Sequence, residues 1–446
     1  MRALRGTEEA VAHIAGICFK TGPPRTIGAE LEWTLHCAGD PAAPVPPGDL
    51  RAALGPHAPA SLGNPEPEPL PAGGAVTVEP GGQVEISSAP AGSLTALYDA
   101  VCADRESLTE LLARRGLVLG EHGIDPYRSP RRILDTPRYA AMERAFDRPG
   151  RTMMGSTAGL QVCLDAGEGA SVPLRWAALH EIGPALVALF ANSRTHAGRD
   201  TRWASARMAA WLGIDPRRAG PAHPGTSADP ATAWAHYALA SPLLCVRRDH
   251  DRWDAPPGVT FADWITAGGL EERRAGPGRV ALRRVGTRRG GTPRTSDHVA
   301  RPPTLADLDY HLGTLFPPVR PRGYLEVRYL DTQPGAEWVA PVAVVAALLA
   351  DDATTERARE LVRPAAGRWR AAARLGLADP VIRVAAARVA ELACARLDRT
   401  GLPEPVRAEV AGAVSRRLDA AVAGNARRRA YATGSRTGRL AKGNAT

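Results

Sequence analysis

The stretch Ile27-Gly28-Ala29-Glu30-Leu31-Glu32-Trp33 decides how the rest of the chain is read. Polar and apolar residues alternate along it, which is the period of a half-buried strand. Side chains two apart on a strand share a face, so Glu30 and Glu32 project to one side and Leu31 and Trp33 to the other. For a single E-x-E pair a solvated strand face is the ordinary explanation. The sharper explanation is a pair of hard oxygen ligands of the kind Mg2+ takes. Whether other strands carry matching groups decides between them.

Two other segments do. Val78-Glu79-Pro80-Gly81-Gly82-Gln83-Val84-Glu85-Ile86-Ser87 has strand character on both sides of a Pro-Gly-Gly turn, with Glu85 between apolar neighbours. A carboxylate there needs a partner, unless the hairpin simply turns its acids outward. Pro318-Val319-Arg320-Pro321-Arg322-Gly323-Tyr324-Leu325-Glu326-Val327-Arg328-Tyr329-Leu330-Asp331 puts Glu326 and Arg328 on one strand face, with Arg320 and Arg322 just upstream. Arginine's planar fork matches phosphate and carboxylate oxygens. A cross-strand salt bridge is the plainer alternative. Jointly, carboxylates at 30, 32, 79, 85 and 326 with arginines at 320, 322 and 328 describe a sheet that binds metal and phosphate. Without cations, so many converging carboxylates would be strongly destabilising.

Helical periodicity covers 94–112, 173–190, 201–212 and 230–240, and then Trp338 to about Val422 with breaks at Pro364, Pro380 and Pro403. Met153 to Asp165 reads as a strand broken by small residues, with Gln161 polar inside its apolar run. Residues 38–75 read as a long loop or insertion, and 271–303 as an Arg/Gly/Pro-rich loop. Strands in separated groups with helices between them predict an α+β fold with an antiparallel sheet. Arg207, on a helix after Trp203-Ala204-Ser205-Ala206, either binds a carboxylate or faces solvent.

Composition narrows the classes. The 446 residues are 44% hydrophobic and 23% charged, enough apolar area for a sizeable core. No apolar run approaches the roughly 18 residues that cross a bilayer. Of the 56 basic residues only Lys20 and Lys442 are lysines. The last 26 residues hold six cations and no acid, so the rest of the chain carries +3 of the net +9 and implies no polyanion partner. Six cysteines without a C-x-x-C pair fit reduced thiols in a cytoplasm. There is no P-loop, no Rossmann glycine triplet and no G-x-S-x-G, and the scarcity of lysine disfavours Schiff-base chemistry.

Five segments in order carry a resemblance: 27–33, TVEPGGQVEISSAP at 77–90, MMGSTAGLQVCLD at 153–165, the ANS…SAR…W…DPRR pattern of 191–218, and YHLGTLFPPVRPRGYLEVRYLDTQP at 310–334. The chain resembles the glutamate–cysteine ligases, in particular the plant-type and actinobacterial branch that supplies γ-glutamylcysteine for ergothioneine synthesis. The resemblance implies a glutamine-synthetase-like catalytic fold over 1–335, with a curved antiparallel sheet. A helical region at 336–425 would pack on it, followed by a basic, flexible tail at 426–446. It implies ATP, L-glutamate and L-cysteine as substrates and Mg2+ as cofactor. Glu30, Glu32, Glu79, Glu85 and Glu326 would be metal ligands, with Gln161 where more distant ligases place a histidine near the metal. Arg207 would hold a glutamate carboxylate, Arg328 would stand beside the transferred phosphate, and Arg320 and Arg322 would touch nucleotide or phosphate. The loops at 38–75 and 271–303 would be lids. Removing the Glu326 charge would leave the ligand-free protein as stable or more so, because one repelling carboxylate is gone. Two other readings stand beside this one: a ligase of the same fold using another amine, and a non-enzymatic RNA binder acting through the tail.

Overall fold

The structure is a computed structural model. It describes residues 2–19, 22, 25–222, 229–249, 252–268, 273–275, 279–281 and 301–440, with backbone alone at 273–275, 279–281 and 424–440. Six strands form the main sheet: β1 (Ile27–Trp33), β2 (Ala75–Val78), β3 (Val84–Ser87), β4 (Gly159–Leu164), β5 (Val319–Pro321) and β6 (Leu325–Asp331). Their spatial order is β5-β6-β4-β1-β3-β2, and every neighbouring pair is antiparallel. The expected α+β class and antiparallel sheet are what the chain forms.

One face of the sheet is apolar. Ala29, Leu31, Trp33, Val76, Ile86, Leu160, Val162, Leu325 and Val327 are buried there. Behind this face stands the Ser171–Leu189 helix, buried almost all round because helices cover it on its other sides. The Tyr329 hydroxyl donates to Leu179 O at 3.2 Å, which ties the sheet to this helix. Two of the C-terminal helices begin where proline predicts. Pro380 opens Pro380–Cys394 behind an Asp379 cap, and Pro403 precedes Glu404–Leu440. Their apolar residues join those of the sheet in one continuous core running from Leu4 to Val414.

Several expectations about elements change. Residues 137–156 form a helix, so Met153 and Met154 lie on its last turn and the strand starts only at Gly159. Asp147, at φ 48, and Pro149 interrupt that helix, which hides its period in the sequence. Residues 201–205 are not helical; they lead to Ser205, whose side chain caps Ala206–Leu212. The 38–75 segment contains a helix at Pro47–Leu54 with Leu50 and Leu54 fully buried, so it is packed rather than free to act as a lid. The helix Glu404–Leu440 continues through most of the segment expected as a tail. Most of 271–303, the other expected lid, lies outside the described residues. No single described helix is long and apolar enough to cross a membrane.

Candidate active site

Register gathers the polar groups on the face opposite the core. Glu30 pairs with Gln161 on β4 and Ser87 on β3, and Glu32 pairs with Glu85. Glu326 stands opposite Cys163 on one side and Arg320 on the other. The β6–β4 pairing shifts register between Val327 and Leu330. Glu79 lies one step beyond β2, in a turn closed by Glu79 N–H donating to Gln83 O at 2.8 Å. Gln83 Nε2 donates to Met154 O and Thr157 O, tying this turn to the end of the 137–156 helix. Gly81 permits the approach: a Cβ there would stand 2.4 Å from Gly155 O.

These groups line a cavity of about 530 Å³, within the usual range for a ligand site. Its two ends differ in charge. At one end stand Glu30, Glu32, Glu79 and Glu85. Burial, reinforced by Glu326, pushes the Glu30 carboxyl up to about 7. Burial with Glu32 nearby does the same for Glu79, also to about 7. Burial and then Glu30 push Glu85 well above the carboxylate range. Glu32 accepts from Gly159 N–H at 2.6 Å and from Gln161 Nε2 at 3.2 Å, and Glu85 accepts from the Thr77 and Ser87 hydroxyls. The side-chain carboxylates of Glu30 and Glu79 accept no hydrogen bond among the described residues. Arg328 and Arg138 act on this end from a distance, but among the described residues none of the four carboxylates forms an ion pair.

At the other end stand Arg320, Arg322 and Arg328. Arg320 grips both oxygens of Glu326, Nε at 2.6 Å and Nη2 at 3.1 Å. Arg328 Nη1 donates to Glu326 Oε2 at 3.0 Å and to Gln161 Oε1. Arg322 Nη1 lies 3.6 Å from Glu326 and is half exposed. Burial works to raise the fully buried Glu326 carboxyl, but Arg320 and Arg328 outweigh it and hold it at about 2.

The sequence model of glutamate-cysteine ligase family 2 matches residues 26–441. The chain belongs to this family. The glutamate–cysteine ligase EgtA of Mycolicibacterium smegmatis is 40% identical over 400 residues, 87% of this chain and 83% of that one. EgtA of Mycobacterium tuberculosis is 38% identical over 419 residues, 92% and 86% of the two chains. A chloroplastic glutamate–cysteine ligase of Medicago truncatula is 28% identical over 293 residues, 64% and 52%. Family membership makes this chain a ligase enzyme.

Within this ligase the structure sorts the expected site residues into three groups. Glu30, Glu32, Glu79 and Glu85 meet on one wall of the cavity. Gln161 lines the cavity between the two ends and Glu326 is buried beneath the arginines, and both are occupied by arginine. Arg207 is neither on the cavity wall nor at the surface. It is 1% exposed, its Nη2 donates to Arg328 O at 2.9 Å, and a Cβ on Gly159 would fall 2.2 Å from that nitrogen. Its place is beneath Arg328, with Trp211 within 6 Å of both guanidinium groups. The helix carrying Arg207 is fixed by Asp331, whose carboxylate accepts from Ser193, Ser205 and the Asn192 N–H.

Sequence reasoning missed Arg138, Tyr139, Met142 and Trp211, all on the cavity wall. Arg138 and Tyr139 open the 137–156 helix. Thr136 caps that helix and Pro137 takes its first position, a start signal present in the sequence. Trp211 is the tryptophan of the 191–218 pattern, but nothing local gives it a place in the site.

Proposed function

We propose that this chain joins the γ-carboxylate of L-glutamate to the amine of L-cysteine at the expense of ATP, giving γ-glutamylcysteine, ADP and phosphate. The observation that carries the reading is a cavity in which four carboxylates without an ion pair among the described residues stand beside a wall of arginines. Such a site suits a polyanion that arrives with divalent cations. A carboxylate is a poor acceptor for an amine, so the γ-carboxylate oxygen first attacks the terminal phosphorus of ATP and ADP leaves. The amine then attacks the acyl phosphate carbonyl, phosphate departs, and the amine proton passes to a base.

The donor set fits Mg2+. No three His, Cys, Asp or Glu side chains among the described residues group closely enough to hold an ion alone. That suits an ion which uses one or two carboxylates and completes its shell with phosphate oxygens and water. Glu30 and Glu79 would hold it, with Glu32 and Glu85 beside them; when bound, it neutralises phosphate oxygens so that one anion can approach another. Arg328 and the half-exposed Arg322 are placed to take the charge that develops on the transferred phosphoryl group. Arg320 acts through Glu326, and Arg207 by supporting the Arg328 backbone. The six free thiols suit a cytoplasmic enzyme, and the product would feed ergothioneine synthesis. The test is phosphate release with ATP, Mg2+, glutamate and a panel of amines. Release coupled to cysteine and abolished by chelator is expected. Equal release with every amine, or none, defeats the reading.

A further inference from the structure

One buried side chain on the sheet's polar face is left over by these roles. Gln161 is 3% exposed, on the strand beside Glu30. It is the neutral joint in an unbroken line of hydrogen bonds. Arg320 holds Glu326, and Arg328 Nη1 donates to both Glu326 and Gln161 Oε1. Gln161 Nε2 donates to Glu32, whose other oxygen accepts from Gly159 N–H. An amide accepts at one end and donates at the other without carrying charge. A carboxylate in its place would capture Arg328 as a second anion and repel Glu32 and Glu30. An apolar side chain would take one acceptor from Arg328 Nη1, in a guanidinium whose Nε is already buried without a partner. Only the amide oxygen can ligate a cation, and here it is turned to Arg328.

We propose that Gln161 is a positioning residue: its amide aims Arg328 at the transferred phosphoryl group and separates the cationic end of the cavity from the carboxylate end. The proposal rests on the ligase reading above. It gives Gln161 a different task from metal ligation, because the oxygen a metal needs is spent on the arginine.

The test compares the full-length wild type with Gln161→Met, Gln161→Glu and Gln161→His, measuring kcat, KM for glutamate, the Mg2+ activation constant and the melting temperature. Gln161→Met should lose roughly 100-fold in kcat through misplacement of Arg328, with KM for glutamate and the Mg2+ constant little changed. Gln161→Glu should lose more. Gln161→His, assayed at about pH 8.5, should recover much of the loss, since a neutral imidazole accepts on one nitrogen and donates from the other. A Mg2+ constant that weakens in the Met variant and tightens in the Glu variant would overturn the proposal in favour of metal ligation. Unchanged kcat in folded Gln161→Met would overturn it in favour of a purely structural role. Wild type that releases no phosphate sinks the ligase reading and this inference together; active wild type with an unaffected Met variant sinks only this one.

Discussion

Replacing Glu326 with glutamine removes one negative charge from beneath three guanidinium groups while keeping the side chain's shape. In the native protein both carboxylate oxygens are gripped by Arg320, and one also by Arg328. A glutamine offers one oxygen and must turn its NH2 toward a guanidinium donor. Arg320 and Arg328 would then be left nearly buried, each with only 10% of its side chain exposed and its carboxylate partner gone. Breaking a buried pair from one side costs about 3–5 kcal/mol. Water in the adjoining cavity screens part of this, so the low end, about 3 kcal/mol, is expected. At ~2.1 cal/mol/K per residue over a chain of this length, that is a fall of about 3 °C in melting temperature. The assay is thermal unfolding of ligand-free protein in chelator, for Glu326→Gln, Arg328→Gln and the double variant. The double should lie above the sum of the singles, because one stranded charge has gone with its partner. An unchanged or higher melting temperature for Glu326→Gln would refute the reasoning. It would restore the view that this carboxylate is one more repelling anion.

Three further outcomes follow from the same geometry. Glu30 and Glu79 have carboxyls raised from 4.5 to about 7, so the stability they contribute is full below about pH 4.5 and lost as pH rises through about 7. Ligand-free melting temperature should therefore fall between about pH 5 and 8, and the gain from Mg2+ with ATP should be larger at pH 8 than at 6; a gain that is flat or reversed contradicts the carboxylate wall. Gly81→Ala brings a Cβ against Gly155 O and Gln83 Oε1, and should displace the turn that carries Glu79 and weaken Mg2+ activation; an unchanged activation constant counts against Glu79. Removing 426–446 should leave turnover intact at moderate salt, and a folded but inactive truncation would place that segment over the site.

The faces of the strands were legible, because a period of two needs only local sequence: Glu30 with Glu32, and Glu326 with Arg328, land where alternation places them. The neighbour across each strand was not legible, and the neighbour decides what a carboxylate does. Glu85 and Glu326 look alike in sequence, each between apolar residues. Glu85, with Glu32 opposite it, is driven toward protonation by burial and by Glu30, Glu79 and Glu32 around it, whereas Glu326 is buried too but finds Arg320 and is held ionised. Arg207 illustrates the same limit for helices. Its helix was visible, but whether it points to solvent or under β6 depends on Gly159 lacking a Cβ, 48 positions away in the chain. A set of five carboxylates that the sequence offers as equivalent thus divides into four without an arginine ion pair among the described residues and one saturated by arginine. The division supplies an orientation. Under the proposed function, a triphosphate entering the cavity would have its anionic end drawn to Arg322 and Arg328, and would approach the opposite wall only with a cation between. On the proposed ligase reading, the requirement for a metal comes from the placement of charge on the two walls, and among the described residues no group of three acidic, histidine or cysteine side chains is close enough to cage one.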